Sequence, residues 1–301
     1  MKKFIKHIIL FSIPMFGVLC ALEVLFRSVP NNYSYKNELL NTKYEGVILG
    51  NSHAYRGLLA ENLQYNSINL SNVSQSIDID YEWFQKVILQ KDLTFVIVNV
   101  SFPTVLKTLK ESKEKWRIKY YNIYTDLQLD YKINNNLEIV SSNSDEKIKK
   151  ISDYFFNSNL IQFTCLKKGS YPLNVTFHDF KKKASITTKR HFDEGLKYFD
   201  KNIETLKLII NKANTENIKV ILVTPPMHEE YRALVDKRYS DKLFNTLKVI
   251  ENMDGVEYLN FYSDMAFDDS MYKDADHLNL KGASIFTKMI NDKLTETLYV
   301  K

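Results

Sequence analysis

Apolar and polar positions along the chain fall into two alternating patterns. Short apolar runs occur at Val47-Ile48-Leu49, Ser67-Ile68-Asn69-Leu70, Thr94 to Val100 (TFVIVNV), Lys219 to Thr224 (KVILVT) and Val256 to Phe261. Such runs suit strands covered on both faces. Between and after them, apolar residues recur at helical spacing over Ile79 to Leu89, Phe192 to Ala213, Asp236 to Glu251 and Leu280 to Leu298, the last with Asn279 as a plausible N-cap. Strands alternating with helices predict an α/β fold built on a doubly wound parallel sheet.

Three stretches break the alternation. Lys2, Lys3 and Lys6 precede an uncharged segment from His7 to Leu22, followed by Glu23, Val24-Leu25-Phe26 and Arg27. The uncharged part alone makes about 24 Å of helix, and the next residues bring it near the ~30 Å hydrocarbon core. With no small-x-small cleavage site, residues 1–27 read as an uncleaved transmembrane anchor. The positive N-terminal flank predicts a cytoplasmic N-terminus and an extracytoplasmic remainder, periplasmic or at the cell surface. A polar linker is expected over residues 28–43, and one domain over 44–301. Within that domain, residues 104–190, rich in Lys, Asn, Ser and Tyr, read as a long insertion, either a substrate wall or lid, or a peripheral excursion.

Composition narrows the classes. The 301 residues, 45% of them hydrophobic, can bury a sizeable core. Forty-one basic residues against 36 acidic ones give a net charge of +5, too small an excess to indicate nucleic acid as a partner. The longest basic run, Lys181-Lys182-Lys183 with Lys189-Arg190, flanked by Phe180 and Phe192, is expected in a solvated loop. Two cysteines, Cys20 and Cys165, supply neither a disulfide framework nor a zinc set, and Leu19 before Cys20 argues against lipidation. No cofactor or metal is expected.

Reactive groups in a doubly wound sheet collect at the carboxyl ends of the strands. The first strand ends in Gly50-Asn51-Ser52-His53, where a glycine lets the backbone turn and a serine can present its hydroxyl. After the fifth strand comes Asp274-Ala275-Asp276-His277-Leu278-Asn279. A serine needs a base to become a nucleophile, a neutral imidazole is suited to that task, and a carboxylate fixes its tautomer. Ser52, His277 and Asp274 are therefore the candidate catalytic residues, with Asp276 a rival orienting carboxylate or a helix cap.

Gly50-Asn51-Ser52 resembles the first block of the SGNH/GDSL hydrolase superfamily, and Asp274-x-x-His277-Leu278-Asn279-x-x-Gly282-Ala283 resembles its last. The resemblance covers about residues 44–103 and 192–298 and implies a three-layer, flavodoxin-like α/β/α fold with ester chemistry. In the family a glycine after the second strand and an asparagine after the third complete the oxyanion hole. Here Ser74 stands for the glycine, leaving a backbone N–H, and the third strand ends Asn99-Val100-Ser101 without the expected asparagine. Asn72 is the substitute donor or a turn residue. Similarity to anchored, polysaccharide-modifying members implies an esterase or O-acyltransferase acting on an acylated carbohydrate, within an envelope polysaccharide machinery. The rival reading is a catalytically idle glycan-binding or assembly component. A nucleotide-binding turn is disfavoured, since no glycine-rich loop follows any strand.

The other histidines carry weaker expectations. His53 should point away from Ser52 if strand geometry continues. His228 either lines the pocket or sits in an exposed loop. His178 and His191 bracket the lysine cluster without metal-ligand spacing.

Overall fold

In a computed structural model of the chain, residues 2–90, 92–141, 144–156 and 168–299 are described. Cys165 lies outside them. The chain packs as two units, Met1–Asn37 with Trp116–Cys165, and Glu38–Lys115 with Leu166–Lys301.

The larger unit holds the sheet. Its strands are β1 (Gly46–Leu49), β2 (Ser67–Asn69), β3 (Phe95–Asn99), β4 (Lys219–Thr224) and β5 (Val256–Asn260). Among the described residues these form one parallel sheet in the order β2-β1-β3-β4-β5, so the fold is the α/β class that the apolar runs predict. Val47, Ile48, Val96, Ile97 and Leu222 are wholly buried, as unbroken runs require of strands covered on both faces. The order reverses at β1, whose neighbours are β2 and β3, and the carboxyl end of β1 is the crevice where such sheets place ligands.

Helices α3 (Ser52–Gly57), α4 (Ile77–Val87) and α5 (Phe102–Leu106) follow the first three strands; α9 (Phe180–His191), α10 (Phe199–Thr215), α11 (Glu229–Arg232), α12 (Lys237–Glu251) and α13 (Leu280–Tyr299) lie in the second half of the chain. Helix α10 begins seven residues later than its apolar spacing suggests. Phe192 caps α9, and Gly195, at φ +57°, turns the chain between the two helices. The Asp236 side chain caps α12 by accepting from Arg238 N at 2.9 Å. The basic run 181–190 is not a loop: it is the outer face of α9, whose inner face buries Phe180, Ala184, Thr187 and His191. Charged residues at those spacings leave an apolar stripe free to pack.

The smaller unit contains α1 (Lys2–Ser28), α2 (Asn32–Leu39, which runs on into the larger unit), α6 (Ile118–Tyr124), α7 (Glu138–Ser141) and α8 (Ser144–Phe156). Residues 28–43 are thus not simply a polar linker: the Asn31 side chain accepts from Tyr33 N and Ser34 N, starting α2, and Tyr33 packs on the rings of Tyr120 and Tyr121. Helix α1 is long and apolar enough to cross a membrane. Phe4, Ile8, Phe11, Met15 and Leu19 on it are exposed, whereas Phe26 is buried. Near that covered end, Glu23 accepts from Glu138 N and Ile139 N and pairs with Arg27. The stretch read as one insertion is therefore divided, residues 104–115 and 168–190 belonging with the sheet and 116–156 with α1.

Candidate active site

Strand β1 stops at Leu49 because Gly50 adopts φ +136°, a backbone state that disfavours side chains. A Cβ at Gly50 would also lie 2.6 Å from Asn99 Cβ, so the turn closes tightly against the end of β3. Asn51 then caps α3, accepting from His53 N at 3.0 Å and donating through Nδ2 to Ser101 Oγ (3.1 Å) and Thr104 Oγ1 (3.0 Å). Asp80, buried on α4, accepts from Gly50 N at 2.8 Å and from Gln75 Nε2 at 2.6 Å. Burial pushes the Asp80 carboxyl up to about 7, with hydrogen bonds from Gln75 and Gly50 working against the shift. Ser52 is therefore the first residue of a helix held at β1, β3 and α4, and it is partly open to solvent.

The second half of the site is a loop folded on itself. Lys273 N donates to His277 O at 2.8 Å, and Asp274 Oδ1 accepts from His277 N at 3.0 Å. Asn279 caps α13 by accepting from Gly282 N at 3.1 Å. A side chain at Gly282 would meet Met271 O at 2.2 Å, so only glycine lets α13 approach this loop. Thr287 on α13 accepts from Leu59 N at 3.0 Å, tying the helix to the chain leaving α3.

These two pieces bring three of the singled-out residues into line. His277 Nε2 lies 2.8 Å from Ser52 Oγ, and His277 Nδ1 lies 2.8 Å from Asp274 Oδ1. Asp274 Oδ2 is in turn held by Lys273 Nζ at 2.8 Å. Asp276 is no helix cap; its Oδ1 lies 3.3 Å from the same His277 Nδ1. Burial disfavours a charged His277, but Asp276 and then Asp274 outweigh it and raise the imidazole to about 9. Burial likewise opposes both carboxylates, yet the His277 charge holds each of them below the usual carboxylate range.

His53 does not point away from this centre. Strand geometry ends at Leu49, and in the helical turn that starts at Ser52 the next side chain swings inward. The His53 ring is buried 5.0 Å from that of His277, with Nε2 3.2 Å from Asp276 Oδ2 and Nδ1 3.1 Å from Ser101 Oγ. His191, distant in sequence and marked by no motif, completes the group: its Nε2 lies 3.7 Å from Asp276 Oδ2 and its Nδ1 2.9 Å from Tyr231 OH. Burial holds both rings below the ordinary histidine range, His191 at about 3, so they are neutral near pH 7. His191 lies on the inner face of α9 with Ala184, Thr187 and Thr188, a face too poor in apolar residues to be read from the sequence. His228 is buried rather than in an exposed loop, stacked on Phe180 at 4.1 Å and bonded to Asp269 Oδ1 at 3.0 Å. His178 is exposed.

The oxyanion donors are less complete. Ser74 adopts φ +58°, the left-handed state that glycine takes without strain, at the position where the resemblance places a glycine. Among the described residues no acceptor is shown for the backbone N–H of Ser52 or Ser74. Asn72 has the local bonds of a turn residue: its N donates to Gly50 O at 3.1 Å, and its Oδ1 accepts from Val73 N. Asn99 is buried, with its Nδ2 directed to Val223 O. As for metals, His53, Asp276 and His277 offer ligand atoms within 4.8 Å of one another. Their ring nitrogens already meet Ser101, Asp276, Asp274 and Ser52, an arrangement that fits proton relay better than a cation.

No protein-family model matches the chain, and no curated protein matches it in sequence. Solved structures similar in their course include a protein from Streptococcus pneumonia provisionally described as a platelet activating factor. It is 12% identical, with a TM-score of 0.45 over 95% of this chain and 98% of that one. Another is a provisionally described acylhydrolase from Bacteroides fragilis, 13% identical, with a TM-score of 0.45 over 88% of this chain and 95% of that one. The chemistry assigned to Ser52 and His277 rests on their own geometry.

Proposed function

We propose that this protein is a serine-dependent acyl ester hydrolase or O-acyltransferase that works through an acyl-Ser52 intermediate. The observation that carries the reading is the continuous line of hydrogen bonds from Ser52 Oγ through His277 to Asp274, 2.8 Å at each step. His277 Nε2 takes the hydroxyl proton as Ser52 Oγ attacks the ester carbonyl, and Asp274 holds the ring and steadies the imidazolium. The backbone N–H groups of Ser52 and Ser74 are the proposed oxyanion donors, with Asn72 the further candidate. His277 then returns the proton to the departing alcohol, and water or a sugar hydroxyl releases the acyl group.

The proposed substrate is an acylated glycan of the cell envelope, with α1 as membrane anchor and the sheet-bearing unit outside the cytoplasm. The SGNH-like blocks around Ser52 and His277, the apolar exposure of α1 and the three lysines at its start support this reading. Turnover of 4-nitrophenyl acetate by the full chain in detergent tests the chemistry. We expect turnover in the wild type and background rates in Ser52→Ala and His277→Ala; equal rates in all three would favour an idle, glycan-binding protein.

A further inference from the structure

Arg56 lies four residues after Ser52 in α3, so the two side chains share one helix face, with Cβ atoms about 5–6 Å apart. Nothing in the sequence singles it out. The residue is part-buried, and its Nη1 is a fully buried donor without a hydrogen-bond partner among the described residues. No carboxylate is shown within ion-pair distance of it, although Asp274 and, more weakly, Asp276 act on it through space alongside Tyr55 and Tyr171. Elsewhere in this unit a cation beside a carboxylate closes the contact, as Lys273 does with Asp274 at 2.8 Å.

A guanidinium donor held out of water without a hydrogen bond is costly, and buried polar groups in folded proteins nearly always find partners. Packing does not require a charge here, because a methionine or leucine would fill a similar space without the cost. Such a group beside a reactive serine is explained if its partner arrives with the substrate. The planar fork of arginine matches two oxygens of a carboxylate or phosphate, and a water-poor setting strengthens that pairing.

We propose that Arg56 receives an anionic oxygen group, a carboxylate or a phosphate, carried by the substrate near its ester. The proposal deepens the reading of Ser52 as nucleophile and rests on it for the word substrate, while anion recognition itself needs no turnover. The site would thus select acidic glycans over neutral ones, with Ser52 acting on the ester and Arg56 setting which ester is presented.

Calorimetric titration of the full chain in detergent with glucuronate, glucose 6-phosphate and glucose tests this. The wild type is expected to bind at least one of the two acidic sugars tenfold or more tighter than glucose, with the carboxylate and phosphate arms naming the group. Arg56→Met should erase that preference and melt no lower than the wild type, since no hydrogen bond or ion pair among the described residues is lost. Equal binding of all three sugars by the wild type overturns the proposal, as does a preference that survives in Arg56→Met. If Arg56→Met melts markedly lower, Arg56→Lys decides: a preference kept in the lysine variant supports anion binding, and its loss assigns Arg56 to the fold. None of the three sugars carries an acyl ester, so the titration reads Arg56 alone, while failure of Ser52 as nucleophile shows instead as unchanged 4-nitrophenyl acetate turnover in Ser52→Ala.

Discussion

The floor and the rim of the candidate site are built on opposite terms. Beneath His277, the polar groups are buried and answered: Asp276 meets His53, His191 and His277, His53 meets Ser101, and His191 meets Tyr231. At the proposed rim, Ser74 holds a left-handed backbone without being glycine, and Arg56 Nη1 has no hydrogen-bond partner among the described residues. A satisfied network fixes one arrangement of the base, whereas backbone strain and an unmet donor are features that functional sites retain for binding. On the proposed function, the difference separates residues that position the reaction from those offered to the substrate.

The sharpest way to break this comparison is to remove the acid that holds the base. Asp274→Asn is expected to lower kcat for 4-nitrophenyl acetate by about 1000-fold or more, since a wrong tautomer disables the imidazole; steady-state kinetics checks it. Asp276→Asn should cost less, about 10- to 100-fold at most, and leave its mark on pH dependence instead. With His277 near 9, kcat/KM for the wild type should rise with pH up to about 9, because only the neutral ring accepts the Ser52 proton. Removing the Asp276 charge should move that limb toward lower pH, and an unchanged limb would take Asp276 out of the relay. Stability runs the other way. A histidine raised from 6.5 to about 9 contributes stability that is fully present below 6.5 and is lost as pH rises through 9, which urea titrations at pH 6 and pH 9.5 would show.

Smaller effects sharpen the floor and the rim separately. His191→Ala leaves the Tyr231 hydroxyl and one face of Asp276 unanswered and should cost about 1–3 kcal/mol in unfolding free energy, read by chemical denaturation. At the rim, Ser74→Gly should gain up to about 1 kcal/mol by relieving the left-handed strain, a gain that would vanish if Ser74 were not strained.

Much of this was legible in residue order. The strands are readable because Val96-Ile97-Val98 and Val220-Ile221-Leu222 sit in unbroken apolar runs, and Gly50-Asn51-Ser52 marks where the first of them stops. The close approach of Ser52, His277 and Asp274 follows from reactive groups gathering at strand ends. His53 was misread because the alternation of a strand was carried past Gly50, where a helix in fact begins. His191 and Arg56 were invisible for another reason. Their positions depend on which face of α9 or α3 turns inward, and a twelve-residue or six-residue helix carries too few apolar positions to declare it. Residues 28–43 read as linker because Tyr33 and Lys36 are polar by composition, yet Tyr33 is buried against Tyr120 and Tyr121.

The central claim is that Ser52 is a nucleophile armed by His277. Incubating the full chain with a fluorophosphonate and mapping the adduct by peptide mass spectrometry tests it most directly. Modification confined to Ser52, and absent from His277→Ala, is the predicted result. A chain that remains unmodified, or one labelled equally well without His277, would contradict the account.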